Sequence, residues 1–227
     1  MEKRFIITID GPAGAGKSTV SKILAKKLGY IYLDTGALYR GLAYKVIKLK
    51  ISPDDISNLS DLCSNTKVTL KKMDSQMRVY VDGEDVEEKI RTEEVGMVAS
   101  KISAFAVVRK KLLDLQREAG NNGNIVAEGR DMGSVVFPHA DYKFYLDASR
   151  EERISRRHKE LLLKGISAEY ELIQKDMQVR DEQDKKREIA PLKAPDGAII
   201  IDSDNLSIQG VVDKIISYIN TNQVFTS

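Results

Sequence analysis

Residues 11–19 read Gly-Pro-Ala-Gly-Ala-Gly-Lys-Ser-Thr, and no other stretch limits the possible folds as tightly. An apolar run, Phe5-Ile6-Ile7-Thr8-Ile9-Asp10, precedes it, and residues 20–28 follow with Val20, Ile23, Leu24 and Leu28 at helical spacing. Gly11, Gly16, Lys17 and Ser18 fill the pattern G-x-x-x-x-G-K-[ST] of a phosphate-binding loop, with Pro12, Ala13, Gly14, Ala15 and Thr19 completing it. The residue types follow from the chemistry. Glycines let the backbone curl so that successive N–H groups face phosphate oxygens, and the helix N-terminus adds partial positive charge. A lysine here reaches the β- and γ-phosphates, and the Ser18 hydroxyl is placed to meet Mg²⁺. A strand before and a helix after supply the context that the motif requires, so the loop reads as a nucleoside triphosphate site.

The rest of the chain repeats that strand–helix alternation. Ile31–Leu33 reads as a second strand, and Asp34-Thr35-Gly36-Ala37-Leu38-Tyr39-Arg40 opens a second helix. Ile125-Val126-Ala127, Tyr142–Leu146 and Ala198–Ile201 are further apolar strand candidates, and Val211, Val212, Ile215, Ile216 and Ile219 mark a final helix. Five strands of this kind, separated by helices, predict an α/β fold: a central five-stranded parallel sheet flanked by helices, with ligands at the strands' C-terminal ends. Between Ile51 and Val95 the pattern changes. Lys67-Val68-Thr69-Leu70 and Arg78-Val79-Tyr80-Val81 alternate polar and apolar residues around Met73-Asp74-Ser75, which predicts an antiparallel hairpin in an insert packed on the main sheet. The expected organisation is a core over 1–50, an insert over 51–95, core again over 96–149, a charged helical region over 150–188 and a closing core segment over 189–227.

Each strand candidate ends in polar residues: Asp10, Asp34-Thr35, Glu128-Gly129-Arg130-Asp131, Asp147 and Asp202. Arginines recur near element ends, and Arg153, Arg156 and Arg157 share one helix face at i, i+3 and i+4. Phosphoryl transfer between two anions needs fixed cations of this kind. Other classes fit poorly. The 36 basic and 34 acidic residues leave a net charge of +2, too balanced to recruit nucleic acid or a membrane surface. The single cysteine, Cys63, excludes an intrachain disulfide and suits a reducing cytoplasm. Met1-Glu2-Lys3-Arg4 with its short apolar run does not read as a signal peptide, and no run approaches membrane-spanning length. The guanine-reading element Asn-Lys-x-Asp is absent. These residues leave open a kinase of a small acceptor, such as UMP or a nucleoside, and an ATP-binding module without catalysis.

More extended stretches narrow the choice. Ile9–Thr19 with its loop, Leu33-Asp34-Thr35-Gly36-Ala37-Leu38-Tyr39-Arg40, Ile90-Arg91-Thr92-Glu93-Glu94-Val95, Gly129-Arg130-Asp131-Met132-Gly133-Ser134-Val135-Val136-Phe137-Pro138, and Arg180-Asp181 through Ala190-Pro191-Leu192 together resemble the bacterial cytidylate kinases. These are P-loop kinases that phosphorylate CMP and dCMP with ATP and Mg²⁺. The resemblance implies that residues 11–19 hold ATP, with Ser18 toward Mg²⁺. It implies that Thr35, Arg40, Arg130 and Arg187 hold the CMP phosphate, that Ser100, Arg109 and Asp131 read the cytosine edge, and that Arg180 and Asp184 grip the ribose. Lys17, Arg130, Arg153, Arg157 and Arg187 are then the expected catalytic groups. The insert becomes a monophosphate-binding region, residues 150–188 contain a short lid, and the chain is expected to be a cytoplasmic monomer. Three places depart from the family's common spelling: Glu128 stands where Asp is frequent, Ala106 replaces a usual Pro, and Gln183 and Lys185 interrupt an Arg-rich run.

Overall fold

The computed structural model describes residues 4–163, 165–167 and 169–223; residues 1–3, 164, 168 and 224–227, which fall in the first, fourth and last expected segments, lie outside it. The chain opens with strand β1 (Ile6–Asp10), whose residues are almost entirely buried because neighbours cover it on both edges and both faces. Helix α1 (Lys17–Leu28) begins inside the loop motif itself, with Gly16 at φ 90° as its N-cap, and ends at Gly29 in the left-handed region. Strand β2 (Ile31–Asp34) leads directly into α2 (Thr35–Lys48), whose first turn is capped by the Asp34 carboxylate accepting from the Ala37 N–H at 3.0 Å.

The insert holds α3 (Ile56–Asn65) and the strands β3 (Val68–Met73), β4 (Gln76–Val81) and β5 (Glu84–Asp85). Two helices follow, α4 (Glu93–Ile102) capped by Thr92 and α5 (Ala106–Gly120). Strand β6 (Ile125–Gly129) then runs into one wide helical turn, Met132–Val136, closed by i→i+5 bonds such as Phe137 N to Met132 O at 2.7 Å. Strand β7 (Tyr142–Asp147), helices α6 (Arg150–Leu163) and α7 (Tyr170–Lys186), strand β8 (Ile199–Asp202) and helix α8 (Ile208–Gln223) complete the chain.

The sheet order is β3-β4-β2-β6-β1-β7-β8, with β5 paired to β4. The five expected strands, β2-β6-β1-β7-β8, pair in parallel throughout, so the fold is α/β with a mostly parallel sheet. The hairpin does more than pack on that sheet: it continues it. Tyr32 faces Gln76, and the Tyr32 N–H donates to the Ser75 carbonyl at 2.8 Å. Without β4, the outer edge of β2 would leave these backbone groups unpaired, and strand addition satisfies them.

Cores form on both faces. Ile7, Ile9 and Val126 pack with Val20 and Leu24 of α1 and with Val212, Ile215 and Ile219 of α8. On the other side Leu38, Leu42 and Val46 of α2 meet Leu59, Val79, Ile90, Ile102, Val108 and Leu112. Helices α6 and α7 share only a small cluster of their own, Ile154, Leu161, Ile173 and Met177. The strand register levels the rim: Asp10 lies opposite Gly129 and Tyr145, Asp34 opposite Glu128, and Asp147 opposite Asp202. The chain reverses its winding direction at β1, flanked by β6 and β7, and the crevice at such a point is where α/β sheets place ligands.

Candidate active site

A cleft of about 1320 Å³ opens along this rim. One wall is the loop. Gly11, at φ 147°, passes so close to β7 that a Cβ there would sit 2.0 Å from the Leu146 carbonyl oxygen, so only glycine fits. Gly14, at φ 77°, lies against Met177 and the backbone of Arg153, which seats α6 and α7 on the loop. Residues Ala13 through Thr19 line the cleft, whereas Gly11 and Pro12 lie behind the lining. Lys17 is 6% exposed, and its Nζ donates to the Pro12 carbonyl at 2.7 Å. Burial and the nearby Arg130 push its pKa down to about 7, against the pull of Glu128, Asp184 and Asp10.

Beneath the start of α1, the buried Glu128 accepts a hydrogen bond from the Tyr32 hydroxyl, and burial pushes its carboxyl pKa up against the pull of Lys17 and the nearby Ser18 hydroxyl. The Thr35 hydroxyl donates to the Glu128 carbonyl at 2.6 Å. Ser18 and Glu128 form an oxygen donor set of the kind that suits a hard cation such as Mg²⁺. Among the described residues no cluster of three or more His, Cys, Asp or Glu could hold a metal by itself.

The opposite wall is cationic. Asp34 accepts from Arg40 and Arg91, each at 2.7 Å. Burial raises the Asp34 pKa, but the two guanidiniums outweigh it and hold the carboxyl at about 2. Arg109 pairs with Asp131, and Arg187 stands 4.0 Å from both Asp131 and Asp184. Arg130 donates through Nε to Asp184 at 2.7 Å. Each of these carboxylates is thus shared by two arginines. Arg180 makes no ion pair among the described residues, its Nε has no hydrogen-bond partner, and burial followed by Arg130 pushes its pKa down to about 10. Glu87 also pairs with Arg91, so the six arginines of this wall meet four carboxylates, and a bound anion would relieve the excess positive charge. Asp10 stands below: both its oxygens accept backbone bonds, from Met132 N at 2.7 Å and Gly133 N at 2.8 Å, and so fix the turn that aims Arg130 and Asp131.

The structure gathers Thr35, Arg40, Ser100, Arg109, Arg130, Asp131, Arg180, Asp184 and Arg187 around this cleft with the loop. Ser100 donates to Gln183 at 3.0 Å, so the departure from the Arg-rich run meets a residue expected to read the base. Two expected catalytic arginines are placed differently. Arg157 lines the mouth, where it pairs with Glu93 at the start of α4 and with Glu160. Arg153 does not reach the cleft. Its guanidinium is buried behind the loop, and each of its three nitrogens donates to the protein, to Ala13 O at 3.0 Å, Ala148 O at 3.2 Å and Asp181 at 2.7 Å, which ties it to the loop and to α7. Arg156, on the same helix face, turns to Ser203. Arg91 joins the cationic wall, and its only signal in the sequence is its place in the Ile90-Arg91-Thr92 stretch. Tyr32 gave no signal, being one residue of an apolar strand.

Residues 7–221 match the family model for cytidylate kinase. The chain belongs to the cytidylate kinase family. It is 45% identical over 214 residues to a cytidylate kinase of Caldicellulosiruptor bescii, covering 94% of this chain and 95% of that one. With a cytidylate kinase of Geobacillus sp. (strain WCH70) it shares 44% identity over 220 residues, covering 97% and 98%. Among solved structures, a gluconokinase from Sinorhizobium meliloti superposes at a TM-score of 0.50 with 15% identity and 99% coverage of each chain, a likeness of fold alone. No described helix of this cytidylate kinase family member is long and apolar enough to cross a membrane.

Proposed function

We propose that the cleft transfers the γ-phosphoryl group of ATP to CMP or dCMP, giving ADP and CDP or dCDP. The observation that carries this reading is the facing of two unlike walls across one cleft, a phosphate loop and an over-cationic cluster built from Asp34, Asp131, Asp184 and their arginines. Family membership supports the cytidine acceptor.

In this reading residues 11–19 hold the triphosphate through backbone N–H groups and Lys17. Ser18, with Glu128 behind it, would hold Mg²⁺, which would supply charge neutralisation at the phosphates. Thr35, Arg40, Arg130 and Arg187 hold the acceptor phosphate, and Arg91 supports Arg40 through their shared Asp34. The carboxylate of Asp131 accepts from the cytosine amino group while Arg109 and Ser100 meet the ring edge. Arg180 and Asp184 hold the ribose. The acceptor oxygen is already anionic, so alignment and charge neutralisation suffice and no strong base is needed. Arg157 acts from the lid, and Arg153 acts on the loop by bracing it. The protein works as a cytoplasmic monomer.

Initial rates of ADP formation with ATP and each of CMP, dCMP, UMP, AMP and GMP test the assignment. CMP and dCMP should be preferred by at least ~100-fold in kcat/KM, the scale set by polar groups that match one base edge and are left unpaired by another. Equal rates with every monophosphate, or ATP binding without transfer to any of them, would overturn it. Lys17→Met should abolish turnover and leave the fold intact.

A further inference from the structure

The buried contact between Tyr32 and Glu128 has no part in the roles assigned above. Tyr32 is 4% exposed, in the middle of β2, and its hydroxyl donates to Glu128 Oε1. The sheet register explains the meeting: Tyr32 lies opposite Val126 and Asp34 opposite Glu128, so Tyr32 and Glu128 project on the same face as diagonal neighbours, under the first turn of α1. Glu128 and Ser18 line the same cleft, the Glu128 carbonyl accepts from Thr35, and Lys22 of α1 stands 5.5 Å above the tyrosine ring. A glutamate side chain carries one methylene and one torsion more than an aspartate's. Its extra torsion lets the carboxylate swing, and only a second anchor fixes where it points.

We propose that Tyr32 is a positioning residue for the metal site: it tethers the longer Glu128 side chain so that its carboxylate faces Ser18 and the phosphates of the nucleotide. This rests on the reading of Ser18 and Glu128 as the metal-facing pair. Tyr32 touches neither nucleotide nor cation. Outer groups of this type set the orientation of metal-facing oxygens, and their loss typically weakens metal affinity ~10–100-fold.

The test uses Mn²⁺ as a paramagnetic stand-in for Mg²⁺, bound together with ADP and measured by electron spin resonance, so that no turnover is required. Tyr32→Phe should weaken Mn²⁺ in the ADP complex at least ~10-fold, while ADP affinity in EDTA stays unchanged. In the Glu128→Asp background, where the shorter carboxylate needs no tether, the same substitution should change Mn²⁺ affinity by less than ~3-fold, the signature of coupling between the two side chains. Equal Mn²⁺ affinity in Tyr32→Phe and the parent, or the same loss in both backgrounds, overturns the proposal and leaves the metal site standing. Absence of ADP-dependent Mn²⁺ binding in the parent overturns the metal reading itself. Should Tyr32→Phe fail to fold, the unaltered protein with ring-labelled tyrosine carries the test. Mn²⁺ with ADP should broaden the Tyr32 ring signals first among the nine tyrosines, and an unbroadened Tyr32 would overturn the tether.

Discussion

Arg153→Met separates a brace from a catalyst. Arg153 and Asp181 form a buried pair at 2.7 Å with side chains 7% and 12% exposed, and Arg153 is the donor to the Ala13 and Ala148 carbonyls. Methionine matches the length and apolar stem of arginine but leaves the Asp181 carboxylate buried without its cation. Removing one partner of a buried pair costs ~3–5 kcal/mol, and each kcal/mol lowers Tm by ~2–4 °C in a chain of this size. A fall of ~6–20 °C follows from these two figures. Replacing both partners with apolar residues, as in Arg153→Met with Asp181→Leu, removes the orphaned charge and should recover most of that loss. Urea denaturation followed by circular dichroism gives the double-mutant cycle, with a coupling energy expected near ~3 kcal/mol. The loosened Ala13 carbonyl should raise the KM for ATP more than that for CMP. An Arg153→Met protein with the parent's urea midpoint and a kcat lowered ~100-fold would refute this reasoning, because the arginine would then act on the phosphoryl group and not on the loop.

Three further outcomes follow from the site. Gly11→Ala forces a Cβ to 2.0 Å from the Leu146 oxygen at a φ of 147°, and strain with overpacking should together cost ~2–6 kcal/mol; thermal unfolding that matches the parent would contradict the close approach. Lys17, pushed down to about 7 from 10.5 by burial and Arg130, should regain its proton on binding ATP, so calorimetry at about pH 8.5 in buffers of different ionisation enthalpy should show ~0.9 proton taken up; uptake below ~0.2 would contradict the shift. Asp10, whose carboxyl burial raises from 3.8 to about 6, carries a stability penalty absent below about 3.8 and complete above about 6. The parent should therefore lose ~3 kcal/mol relative to Asp10→Asn across that window as pH rises, and parallel curves would contradict it.

Much of this was legible in the sequence because the signals are local. Phe5–Ile9 and Ile125–Ala127 read as sheet strands from their apolar runs, the structure forms them as Ile6–Asp10 and Ile125–Gly129, and the loop motif marks the C-terminal end of the first as a phosphate site. Asp34 and Arg40 stood within a few residues of one another, and the structure joins them at 2.7 Å. What the sequence could not convey depends on partners far along the chain. Helical spacing put Arg153, Arg156 and Arg157 on one face, but their ends diverge to Asp181, Ser203 and Glu93, and periodicity gives a face without its neighbours. The hairpin was readable as a hairpin, yet its addition to β2 rests on the unpaired edge around Tyr32. Asp10 reads only as one of several polar strand ends, because the turn after β6 that it holds lies 122 positions away.

The central claim is that donor and acceptor lie face to face in one cleft. Its most direct test is a binding titration with a single ligand in which adenosine and cytidine are joined through a polyphosphate chain. The account predicts one ligand per protein chain, an affinity at least ~100-fold above that of ATP alone because the second contact is intramolecular, and displacement by ATP and by CMP alike. An affinity no better than that of ATP, with displacement by ATP only, would contradict a shared cleft.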